Sequence, residues 1–390
     1  MGNKIRLSSK YLGVQLFTIF SNFTGWDSIG FAFPFWWLYI VLREFECEKK
    51  GKFLSFNKKD LRKNLFLIIW FVFNIITACL HSYETRAVRQ GFYYATGVCF
   101  FMSIVDAKLS QGEISWCIKA YIRMAIVASL LLFIQRTPVH GYTNRLSISI
   151  FGHIKDPNYF SAYLLFPCLI CFWQYLESWK IKKLVWTLMI AYAILLTGSR
   201  ASFLSLVIGM SLASIGSLRL NKTFGWKVII LGGIVFLIAK NILPTTLISR
   251  FIDFNSYNDG SNRLRYSVWI SAIQIWRQNV FWGGGQAVVE NHGVEYGALL
   301  PMMTHSTWLD ILAEFGIVGF LLFISVPLKC FFDALRQKNV LVLSGLVSVL
   351  FASSIISAHY SQYYWFDMAL FVAILNSNRL QQRTNEKKRH

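Results

Sequence analysis

The sequence predicts an all-α integral membrane protein with about twelve transmembrane helices and one large outer loop between the ninth and the tenth. Three observations lead there. Of the 390 residues, 55% are hydrophobic and 17% aromatic, and mean hydropathy is +0.46, too apolar for a soluble chain of this size. Apolar stretches of roughly 17 to 20 residues recur, each long enough to cross a hydrocarbon core of about 30 Å as a helix. Barrel-like alternation is missing, and in lipid only helices or closed barrels satisfy every backbone group.

Taken in order, spans fall at about 11–25 and 28–42, joined by a tight turn at Trp26 and Asp27 and followed by a charged loop from Arg43 to Asn64. A third span at 65–81 leads through a short loop holding Glu84, Arg86 and Arg89 to a fourth at 91–105 and a fifth at 118–134. The segment from Gln135 to Asn158 is too polar to span. The sixth span is 159–176, and the seventh and eighth, 185–197 and 201–218, meet at Gly198, Ser199 and Arg200. A ninth at 228–243 precedes the loop 244–304, and spans at 305–327, 340–357 and 360–376 complete the chain. There is no internal repeat, so residues 1–390 read as one polytopic membrane domain.

Charge sets the orientation. The formal net charge is +20, and in a membrane protein the basic residues collect on the cytoplasmic side. Starting with the basic tail Met1 to Lys10 inside puts most of the 39 Lys and Arg there. They include Lys49, Lys50, Lys52, Lys58, Lys59, Arg62 and Lys63 in one loop and Lys387, Lys388 and Arg389 at the end. The charge is therefore a topology signal and not a nucleic-acid surface. Both termini are expected in the cytoplasm, and the first apolar stretch lacks a small-residue cleavage site. Seven cysteines are scattered, none in a predicted outer loop, so no disulfide framework is implied. Cys168 and Cys171 form a CxxC flanked by Leu, Phe, Ile and Trp, which reads as packing within a span.

An ionisable group at a span end is a functional candidate when it faces a cavity, because burying it unpaired in lipid is costly. Arg200, Arg263 and His305 are such groups. A guanidinium binds phosphate oxygens through a planar fork, so two arginines at the outer face suit a diphosphate. A histidine there can take a proton from an attacking hydroxyl. Each also has a plainer reading: Arg200 as an interfacial anchor, Arg263 and Arg265 as loop charges, His305 as a helix cap. Asp310 lies five residues past His305, about 140° around a regular helix, and so should not orient its ring. The Gly283–Gly285 run lacks a following P-loop lysine. His140, His153, Arg145 and Lys155 rank below these candidates.

The surrounding residues weigh against the plainer readings, because residues 150–330 resemble the bacterial O-antigen ligase/polymerase family. The resemblance rests on the small-residue turn Thr197 to Arg200; on Arg263, Trp269 and Gly283–Gly285; and on His305, Ser306, Gly316 and Gly319, in that order. Asp156, Pro157 and Asn158 extend it. Within lipid, Gly316 and Gly319 are expected to let span ten approach its neighbours closely. The resemblance implies a membrane glycosyltransferase in the bacterial inner membrane. Its donor is a glycan on undecaprenyl diphosphate, held at the outer face, and its acceptor a second glycan or lipid A core. Catalysis is assigned to His305, Arg200 and Arg263, and substrate binding to Arg265, Asp156, Asn158 and Ser306, with loop 244–304 carrying part of the site. The reaction is expected to invert the anomeric carbon, with no cofactor or metal, since no metal-ligand spacing is present. Asp156–Pro157–Asn158 and the short tail lean towards a polymerase of O-antigen, capsule or exopolysaccharide repeats. The alternatives are a ligase and, from another class, a lipid-linked glycan transporter, which should show related halves or broken helices. Membrane lipids and a chain-length regulator complete the expected partners; nucleic acid is excluded.

Overall fold

The computed structural model describes residues 5–12, 32–48, 65–80, 84–139, 145–150, 153–218 and 260–387. These form α1 (Ala32–Glu48), α2 (Leu65–Leu80), α3 (Thr85–Asp106), α4 (Gln111–Gln135), α5 (Pro157–Ser178), α6 (Ile181–Leu196), α7 (Arg200–Leu218), α8 (Gly260–Gln278), α9 (Val288–His292), α10 (Thr307–Arg336), α11 (Val340–Ser353) and α12 (Gln362–Lys387). Two small antiparallel hairpins, β1 (Thr137–Pro138) with β2 (Leu146–Ser147) and β3 (Ser149–Ile150) with β4 (His153–Ile154), separate α4 from α5. Among the described residues, α4, α5, α7 and α10 are long and apolar enough to cross a membrane, and α2 and α11 are shorter apolar helices. The chain thus fits an all-α membrane protein. The first span expected lies almost wholly outside the described residues, as do the ninth, residues 244–259 of the large loop, the basic loop 49–64, and His140.

Local chemistry explains the helix ends. The Ser110 hydroxyl accepts from Glu113 N–H and the Glu113 carboxylate accepts from Ser110 N–H, a reciprocal box that starts α4. Asp156 caps α5 by accepting from the N–H groups of Asn158 (2.7 Å) and Tyr159 (3.2 Å), with Pro157 at the first helical position. At the opposite end of the bundle, Arg6 binds the Glu113 carboxylate through Nε and Nη2.

Small residues bring α5, α7 and α11 together. A Cβ on Gly209 would meet Leu169 at 2.7 Å and Ser348 at 3.1 Å, and one on Gly345 would meet Phe166 at 2.6 Å. Such close approach is how helices associate where lipid removes the hydrophobic drive. The Ser348 hydroxyl donates to the Ser205 carbonyl at 2.8 Å across the α7–α11 contact. Cys168 and Cys171 are fully buried on α5. At the centre, Trp70 packs against Tyr94, Phe315, Phe323 and Trp365 with ring centroids 5.2 to 6.0 Å apart.

The tenth span departs from a straight helix. Gly316 has φ 61° and ψ −165°, breaking α10 after its first nine residues. The freed carbonyls of Ala313 and Glu314 accept from Gly284 N–H (2.8 Å) and Gly285 N–H (3.0 Å). The freed N–H groups of Ile317 and Val318 donate to the carbonyls of Val280 (2.9 Å) and Phe281 (3.2 Å). The Val280–Gly285 turn therefore supplies the partners that the broken helix lacks. The contact is backbone against backbone: a Cβ on Gly316 would lie 2.4 Å from the Phe281 carbonyl, and one on Gly283 would lie 2.4 Å from that of Glu314. The reason for glycine at position 316 thus differs from the expected helix-on-helix packing. It is a positive φ at a break.

The same loop is fastened to α2 and α3. Glu314 accepts from the Tyr94 hydroxyl (2.8 Å) and from Ala287 N–H (3.1 Å). Gln286 donates to the Asn74 carbonyl at 3.1 Å. Beyond it, His292 lies between Glu84 (2.8 Å) and Glu295 (2.9 Å).

Candidate functional site

The starts of α5, α7, α8 and α10 are linked to one another by side chains. Arg145, buried in the stretch that leads into β2, donates through Nε to the Thr197 carbonyl at 2.9 Å and through Nη2 to Asn158 Oδ1 at 2.7 Å. It thereby joins the turn between α6 and α7 to the first turn of α5. That turn is tight: Gly198 has φ 63°, and the Thr197 hydroxyl donates to the Ile194 carbonyl at 2.6 Å. Below it, the hydroxyls of Ser161 and Ser202 are 2.7 Å apart. Arg200, the first residue of α7, donates through Nη2 to Asn262 Oδ1 on α8 at 3.2 Å.

From α8, the Trp269 indole N–H donates to the Thr304 carbonyl at 2.7 Å. Thr304 is gripped on every polar atom. Its N–H donates to Asp310 Oδ1 at 3.1 Å, and its hydroxyl donates to the Ser306 carbonyl at 2.8 Å and accepts from Ser306 N–H at 2.9 Å. The next residue, His305, sits in the left-handed region with φ 54°, where a residue with a Cβ is uncommon. Ser306 is the N-cap residue of α10, though its hydroxyl makes no capping bond.

Electrostatics place two charged groups, Arg265 and Asp156, near the imidazole. The pKa of His305 is pushed down to about 4, first by burial and then by the Arg265 guanidinium, with Asp156 acting in the opposite sense. Lys155, buried at the junction of β4 and α5, is brought down by burial to about 7. Among the described residues, no three His, Cys, Asp or Glu side chains form a metal-binding group.

Of the residues singled out by the sequence, the structure links Arg200 to α8 through Asn262, links Asn158 to the α6–α7 turn through Arg145, and sets Arg265 and Asp156 to act on His305. Arg263 is exposed on α8, whereas Arg265 is the arginine whose charge reaches the imidazole. Sequence reasoning ranked Arg145 low and missed Asn262. The signal for Arg145 was its place in a segment too polar to span yet holding alternating apolar residues at Leu146, Ile148 and Ile150.

Comparison with known proteins matches part of this region. The O-antigen ligase family model matches residues 184–324, which supports the O-antigen ligase/polymerase family for this chain. The matched stretch contains Arg200, Arg263, Arg265, Trp269, His305, Ser306 and both glycine elements; Arg145, Asp156 and Asn158 lie outside it. No curated protein matches the chain.

Proposed function

We propose that the chain is a membrane glycosyltransferase that moves a glycan from undecaprenyl diphosphate to an acceptor hydroxyl at the outer face of the bacterial inner membrane. The observation that carries this is the set formed by Arg200, Arg265 and His305, two guanidinium groups and a neutral imidazole at linked helix starts. The acceptor oxygen attacks the anomeric carbon, the bond from that carbon to the phosphate oxygen breaks, and the diphosphate leaves with the bonding pair. His305 takes the hydroxyl proton. Arg200 and Arg265 stabilise the charge that develops on the diphosphate, and Arg263, on the exposed side of α8, meets it on entry. One displacement inverts the anomeric centre and uses neither a covalent enzyme intermediate nor a metal.

An imidazole with a pKa near 4 is neutral at pH 7, so a ring nitrogen is open to the proton. It is a weak base until substrate binds. A diphosphate beside Arg265 would offset the guanidinium charge that depresses it, raising His305 when the acceptor is in place.

Two acceptors fit this chemistry. Asp156–Pro157–Asn158 favours a second lipid-linked repeat, hence a polymerase. The family description, O-antigen ligase, favours lipid A core. Deleting the gene and restoring it as wild type or His305→Ala, with surface polysaccharide resolved by repeat number, separates them. Core bearing a single repeat in both the deletion and the alanine strain marks a polymerase, and bare core with accumulated lipid-linked polymer marks a ligase. An unchanged ladder in the deletion sinks both.

A further inference from the structure

We infer that Asp310 is a positioning residue for catalysis, acting on His305 through the backbone of the residue before it; this rests on the role proposed for His305. The carboxylate is almost fully buried. Its Oδ1 accepts from Thr304 N–H at 3.1 Å and its Oδ2 from the Ser357 hydroxyl at 2.5 Å, with His359 Nδ1 at 4.0 Å from Oδ2. A buried carboxylate is costly unless its oxygens are satisfied, and here both are spent on fixing two loops, 304–306 and 354–361.

The reach is unusual in direction. Asp310 lies one turn inside α10, yet its bond returns past the helix start to the residue preceding the histidine. Together with the Trp269 bond to the Thr304 carbonyl and the paired bonds between Thr304 and Ser306, it leaves Thr304 no freedom to rotate. That holds His305 in its left-handed conformation. Without Asp310, the Thr304 N–H would be buried without an acceptor, and the turn would relax towards the right-handed region that a residue with a Cβ prefers. The imidazole would swing with it. Ser357 carries the other half of the device, because the 354–361 loop is pinned to the start of α10 a second time. There the Thr307 hydroxyl donates to the Ile356 carbonyl at 2.9 Å and accepts from Ala358 N–H at 2.8 Å.

The test uses full-length protein reconstituted in vesicles of host lipid, with lipid-linked glycan extracted from the deletion strain as substrate. Asp310→Ala should lower kcat about 100-fold, as expected for a displaced base, while KM for the lipid-linked glycan stays within about twofold. Asp310→Asn, which retains an oxygen towards Thr304, should recover to within about tenfold of wild type. In a His305→Ala background, Asp310→Ala should cost nothing more, because the two act as one unit. Wild-type kcat in Asp310→Ala overturns the inference, as does a further loss on the His305→Ala background or an Asp310→Asn as impaired as the alanine variant. A fully active His305→Ala would instead sink the catalytic reading itself, so the two failures are distinct.

Discussion

At His305, burial and the Arg265 guanidinium act in the same direction, and both favour the neutral imidazole. The general base must be unprotonated, so activity is lost as pH falls through its pKa. For the free enzyme, reported by kcat/KM, that acid limb belongs near pH 4. Removing Arg265 removes a depressing charge, and the limb should move up towards the ordinary histidine range near 6.5. The pH profile of kcat/KM for Arg265→Ala checks this, and a limb unmoved from wild type would place Arg265 away from the base. The absolute rate should also fall with the loss of a phosphate ligand, but only the position of the limb reports the coupling. The two arginines also show where spacing stops being informative. Arg263 and Arg265 are two residues apart, and which of them turns inward depends on how α8 is rolled about its axis. That roll is set by Trp269 reaching the Thr304 carbonyl, a contact across 35 positions of chain.

Among the elements, α10 is the one that sequence reading described least well. Its apolar length and its glycine spacing were legible, since both are local. The break at Gly316 was not, because a glycine in an apolar run reads equally as a packing notch or as a positive φ. The deciding partner, the Phe281–Gly285 turn, is some thirty residues away and itself has no periodic pattern. Asp310 has the same lesson at finer grain: the 140° argument looked for a bond to the imidazole ring, whereas the carboxylate grips backbone. Gly316→Ala should destabilise the fold by at least about 2 kcal/mol, combining a left-handed residue with a Cβ and a backbone clash. Thermal unfolding in detergent measures it. A variant as stable as wild type would mean that the break is not built as described. The mirrored position, Gly283, should behave alike, because each Cβ would press on the other segment's carbonyl at 2.4 Å.

For the molecule as a whole, the proposed chemistry requires that α8 and the turn before α10 lie on the outer side of the membrane. Tyr266 is well exposed on α8, at 65%, and offers a direct reading. In a variant with the seven native cysteines replaced, Tyr266→Cys should react with a membrane-impermeant maleimide added to spheroplasts, without lysis. Labelling that needs lysis would invert the orientation drawn from the positive charges and remove the outer-face mechanism with it. The mutual lacing of the Phe281–Gly285 turn with the Gly316 break also bears on how such a protein can be re-engineered or can diverge. The loop before α10 is no interchangeable cassette: its backbone completes a helix long and apolar enough to cross a membrane. A chimera that imports the loop of a relative to change the acceptor must import α10 through the Gly316 break as well, and lineages should inherit the two as one block.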